Sequence, residues 1–102
     1  MTRPTKLTLD IQKKIVELIE EGQFAETTAN CVGITERTYY NWIQRGKNEE
    51  CGPYFQFFQA IEQASAKSEV EALDIIWKAS ERDWRAAAWY LERRFPNKWG
   101  KR

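Results

Sequence analysis

No histidine occurs anywhere in the 102 residues, and there are only two cysteines, Cys31 and Cys51. A zinc site draws about four ligands from Cys, His and carboxylates, so no metal centre is expected. Lack of histidine also removes the commonest general base. Neither a glycine-rich phosphate loop nor a nucleophile–base pairing takes its place. The expectation is a chain that is not an enzyme and carries no cofactor. Apolar runs fall well short of the ~18 residues of a membrane span, and no secretory leader is recognisable. An intracellular chain with free thiols and no membrane partner is therefore expected. A basic excess is missing as well: 16 Lys+Arg face 15 Asp+Glu, for a net charge of +1.

What is present is enough apolar and aromatic residue, 42% and 14%, to exclude a wholly disordered chain. The charges are segregated. Residues 54–81 carry Glu62, Glu69, Glu71, Asp74 and Glu81 against Lys67 and Lys78. Residues 92–102 carry Arg93, Arg94, Lys98, Lys101 and Arg102 against Glu92 alone.

The spacing predicts an all-α fold: an N-terminal helix-turn-helix domain over residues 1–48, then a long-helix antiparallel hairpin over 53–102 with a basic tail. Arg3, Pro4 and Lys6 form a polar arm, readable as a frayed end or as a phosphate contact. Thr8 caps a helix to about Glu21, with Ile11, Ile15, Leu18 and Ile19 inward and Gly22 as its left-handed exit. A short helix over 23–32 follows, carrying Phe24, Ala29 and Cys31, with Cys31 expected in the core. Gly33 fits a turn that needs positive φ, and Ile34 plugs the core. Thr35 caps the next helix, expected to stop at Gly46, with Tyr39, Trp42 and Ile43 inward.

The opposite face presents Thr35, Glu36, Arg37, Tyr40, Asn41 and Gln44, flanked by Arg45 and Lys47. Arg can grip guanine, and Asn or Gln adenine, by two hydrogen bonds each. The same residues also fit a solvated helix face. Glu36 is discordant beside phosphate; it would read a cytosine amine or restrain non-specific binding. Double-stranded DNA is the expected partner, bound weakly by each copy.

Lys47–Gly52 reads as a linker, with Cys51 in it. Gly52-Pro53 starts a long helix to about Ser80. One stripe runs through Phe58, Ile61, Ser65, Ser68, Ala72, Ile75 and Ala79, and a second through Ala66, Val70, Leu73 and Trp77. Phe58, Ile61, Ala72, Ile75 and Trp77 are the candidates for contact between copies, although a fold-back on the chain's own domain fits equally well. Asp83 caps a last helix from Trp84 to about Phe95, which Pro96 ends. Trp99 among Lys98, Lys101 and Arg102 could dock a partner, touch nucleic acid or fold back.

TYYNWIQRG, GPYFQFFQAIEQA and above all DWRAAAWYLERRFPNKWG together resemble bacteriophage terminase small subunits across nearly the whole chain. The resemblance implies recognition of viral DNA for packaging, assembly into a ring through the helical segment, and recruitment of a large terminase subunit that carries the ATPase and nuclease. It implies action in the cytoplasm of an infected bacterial host, and leaves Lys98–Arg102 as the candidate for the large-subunit contact. Two other readings compete: a dimeric helix-turn-helix transcriptional regulator or transposon-type DNA binder, and a protein-interaction adaptor that no longer binds DNA.

Overall fold

Helix follows helix throughout the computed structural model, which describes residues 6–100. Among these residues there are six helices and no strand: α1 (Leu9–Glu20), α2 (Ala25–Val32), α3 (Glu36–Asn48), α4 (Pro53–Ser80), α5 (Trp84–Arg94) and α6 (Pro96–Trp99). Arg3 and Pro4 of the arm, and Lys101 and Arg102 of the tail, lie outside the described residues. None of the helices is long and apolar enough to cross a membrane.

The caps follow the sequence. Thr8 Oγ1 accepts the Ile11 N–H at 3.2 Å, placing an acceptor on a helix start that would otherwise leave its first amides unpaired. Past α1 the chain leaves through Gly22 at φ 90, a conformation that costs L side chains roughly 1–2 kcal/mol. Past α2 it leaves through Gly33 at φ 81, with the Ile34 N–H donating to the Ala29 carbonyl at 3.0 Å.

Two compact units make up the chain, one ending at Ser68 and the other beginning at Glu69. The division therefore falls within α4, and not in Lys47–Gly52. In the first unit Ile15, Ile19, Ala29, Ile34, Tyr39, Trp42, Phe57, Ile61 and Ala64 form one buried cluster. Phe57 organises it: its ring meets Tyr39 edge-on at 6.1 Å and Trp42 at 5.8 Å. Such aromatic pairs add about 0.5–1.5 kcal/mol to what burial alone contributes. In the second unit the Trp77 and Tyr90 rings meet edge-on at 5.1 Å, and Tyr90 meets Phe95 at 6.3 Å. Yet none of residues 69–100 is buried.

Three expectations need correction. Cys31 is exposed, because the inward face of α2 is set by Thr28 and Ala29, and two residues beyond Ala29 lies on the far side of a helix. Thr28 takes the core place instead, its hydroxyl without a hydrogen-bond partner. Helix α3 does not stop at Gly46 but runs to Asn48. Gly46 is buried where α3 crosses the start of α4; a Cβ there would lie 2.6 Å from Phe58 Cβ and nearer still to the Tyr54 carbonyl oxygen. Its role is close approach of two helices, not termination. Ile61 is buried in the first unit's core and Phe58 is half-buried against Gly46, so both serve the chain's own packing. Pro96 ends α5 as expected, and it also opens the short helix α6.

Candidate nucleic-acid interface

Helix α3 is fixed in place by its inner face and by its first turn. Inward, Tyr39 and Trp42 are buried on Phe57, and Trp42 also meets Tyr54 at 6.5 Å. Burial, with Tyr40 alongside, pushes the Tyr39 phenol up to about 12, so this anchor stays neutral at any ordinary pH. At the helix start Thr35 Oγ1 accepts the Thr38 N–H at 3.0 Å and sits 3.0 Å from the Thr38 hydroxyl. The Thr35 hydroxyl is committed to the cap, on a residue that is itself exposed.

With the inner face anchored, Arg37, Asn41, Gln44 and Asn48 form the outer one. They recur at intervals of four, three and four, which is one stripe along a helix, and all four are exposed. Asn48 is the member that sequence reasoning missed. Ending the helix at Gly46 hides it, and the spacing from Arg37 would have recovered it. Tyr40 borders the stripe, half-exposed and set edge-on to Tyr39 at 5.3 Å.

The expected flanking cations behave differently from the stripe. The Arg45 guanidinium lies 4.0 Å above the Tyr54 ring, with Nε 2.6 Å from Glu49 Oε2. A cation already balanced by a carboxylate has less to offer a phosphate. Lys47 is exposed, its ammonium 5.9 Å from the Phe58 ring. Glu36 is exposed in a recess of about 300 Å³ that Phe24, Glu26, Thr27 and Tyr40 also line. Phe24, ahead of α2, is 81% exposed.

Chemically the stripe is a row of hydrogen-bonding groups. Arg37 is a planar donor fork; Asn41, Gln44 and Asn48 each carry a donor and an acceptor in one plane. Such groups on a rigid helix match base edges in a major groove, whose width admits a helix. Among the described residues no group of three or more His, Cys, Asp and Glu comes together to hold a metal ion. Of the candidates for contact between copies, Ala72, Ile75 and Trp77 are exposed in the second unit.

Comparison with protein-family models, with curated proteins and with solved structures finds no match to this chain.

Proposed function

We propose that the chain is a non-enzymatic protein that binds double-stranded DNA as a homo-oligomer, in the manner of the phage small terminase subunits it resembles. In this reading α2, the Gly33 turn and α3 are a helix-turn-helix, with α3 as the reading helix. Helix α4 from Glu69 onward and α5 are an antiparallel hairpin through which copies associate. The packaging role, the ring and the recruitment of a large subunit come with the resemblance, as does action in an infected bacterial cytoplasm.

The observation that carries the reading is the outer stripe of α3, Arg37, Asn41, Gln44 and Asn48, on a helix whose opposite face is locked by Tyr39 and Trp42. Association is supported by the uncovered apolar side chains of the second unit, Ile75 at 68% and Trp84 at 74% exposed among them. Weak single contacts, expected at a net charge of +1, become useful once several copies act on one duplex.

Fluorescence anisotropy with genomic fragments of the cognate phage tests the reading face. Arg37→Ala combined with Asn41→Ala should weaken specific binding at least about tenfold, since each two-bond base contact is worth roughly 1–3 kcal/mol. Unchanged affinity would remove α3 as the reader. Native mass tests the assembly: more than six copies fits a packaging ring, whereas a strict dimer would turn the reading towards a transcriptional regulator.

A further inference from the structure

A second set of cations lies in α5 and α6, away from the reading helix in sequence. Between Trp84 and Gly100 the acidic side chains number one, Glu92, against Arg85, Arg93, Arg94 and Lys98. Arg85 is consumed locally: its Nε and Nη2 each lie 2.9 Å from an Asp83 carboxylate oxygen. The other three are exposed, and among the described residues they make no ion pair.

Basic residues in a last helical turn are expected from the helix dipole alone. The other helices show what that ordinary case looks like here. Arg45 in α3 is tied to Glu49 as well as lying over Tyr54, and Lys78 in α4 is tied to Asp74 at 2.8 Å, while Lys47 in α3 makes no ion pair and lies 5.9 Å from the Phe58 ring. In α5 both last-turn arginines are without an ion pair and rest on rings: the Arg93 guanidinium lies 5.0 Å from the Trp89 centroid, and that of Arg94 5.1 Å from Phe95. An arginine held over a ring keeps the donors of its fork available for an anion. The backbone then turns so that the Lys98 and Trp99 N–H groups both donate to the Phe95 carbonyl, at 3.1 and 2.9 Å. Lys98 and a half-exposed Trp99 are thereby kept within one turn of Phe95.

We infer that this α5–α6 edge is a second nucleic-acid contact, one that takes the phosphodiester backbone without regard to base sequence. Three uncompensated cations close together in the chain are what a polyanion neutralises at once, releasing its condensed counterions. Guanidinium forks match phosphate oxygens two at a time. The inference stands on the second unit alone and does not depend on α3 reading bases.

The test uses the full chain and duplexes of random sequence, titrated by anisotropy over a range of salt. The Arg93→Ala, Arg94→Ala, Lys98→Ala variant should lower the slope of log K against log salt by about 2–3, at roughly 0.9 for each phosphate no longer neutralised. The single variant Lys98→Glu, which touches no ring pairing, should lower it by about 1 or more. The Arg37→Ala, Asn41→Ala variant should keep most of the random-duplex slope, which separates failure of this edge from failure of the reading helix. An unchanged slope in both α5–α6 variants, with helical circular dichroism retained, would overturn the inference. So would polyglutamate that binds the chain as tightly as random duplex and no longer binds the triple variant, because the edge would then fit an acidic protein partner.

Discussion

Up to Ser68, the large apolar side chains Ile15, Phe57, Trp42 and Tyr39 are buried; from Glu69 onward Val70, Ile75, Trp77, Trp84 and Trp89 are exposed. Both stretches are helical and both are rich in aromatic residues, so composition does not separate them. The difference is the number of surfaces available. In the first unit α1, α2, α3 and the first half of α4 can enclose Phe57. In the second, the end of α4 with α5 and α6 can bring Trp77 against Tyr90 but encloses nothing. A helical segment this short rarely builds an independent core, and association is a common remedy. The lesson is that one long helix can close a core at its start and leave apolar surface uncovered towards its end.

The comparison breaks most readily at Phe57. Phe57→Ala should remove about 3–5 kcal/mol of stability, enough to unfold a marginal domain. Denaturant titration followed by tryptophan fluorescence measures it. A loss below about 1 kcal/mol would mean that the first unit is not built on this ring.

Two glycines sharpen the picture at the next level. At Gly46 an added Cβ would strike the backbone of α4 at Tyr54 and the Phe58 side chain, so Gly46→Ala should cost at least about 1–3 kcal/mol. At Gly33 there is open space, and only the positive φ opposes a side chain; Gly33→Ala should cost about 1 kcal/mol. Equal costs for the two would remove the distinction between close approach and turn geometry.

Much of the first unit was legible because it rests on local rules. Thr8 and Thr35 cap as their side chains suggest, as Asp83 does in the second unit, and Gly22 and Gly33 take the left-handed exits that helix ends favour. The outer residues of α3 follow from periodicity once Tyr39 and Trp42 are taken as inner. What could not be read was tertiary. Gly46 carries the same local signal as a helix stop, and only the crossing of α4 shows that it is there for closeness. Phe58 and Ile61 lie on the same stripe as Ala72 and Ile75, and no local rule says where along one helix the first unit's packing ends. Arg45 reads as a free cation until Glu49 and Tyr54 are seen around it.

A milder effect should appear only in alkali. Tyr39 has its pKa raised to about 12 in the folded chain, against about 10 when unfolded. The contribution of the neutral phenol is therefore whole below pH 10 and fades as pH rises from about 10 towards 12, because the unfolded chain ionises first. Tyr39→Phe should flatten that part of the stability curve; an unchanged alkaline slope would assign it to other groups.

The smallest effect on the isolated chain, and the most telling about the comparison, is expected at Ile75. This side chain is 68% exposed, and substitutions at such surface positions usually change stability by within about 0.5 kcal/mol. Ile75→Asp should therefore leave the denaturant midpoint of the first unit where it was. In the proposed homo-oligomer the same carboxylate would have to enter an apolar contact without a partner, a penalty large enough to disfavour association. Light scattering should then report a fall in mass, while the same substitution in a chain that keeps Trp42 as its sole tryptophan still shows a folded first unit by fluorescence. Unchanged mass would mean that copies associate through another surface or not at all; loss of the first unit's fold would mean that the two halves of α4 are not energetically separate.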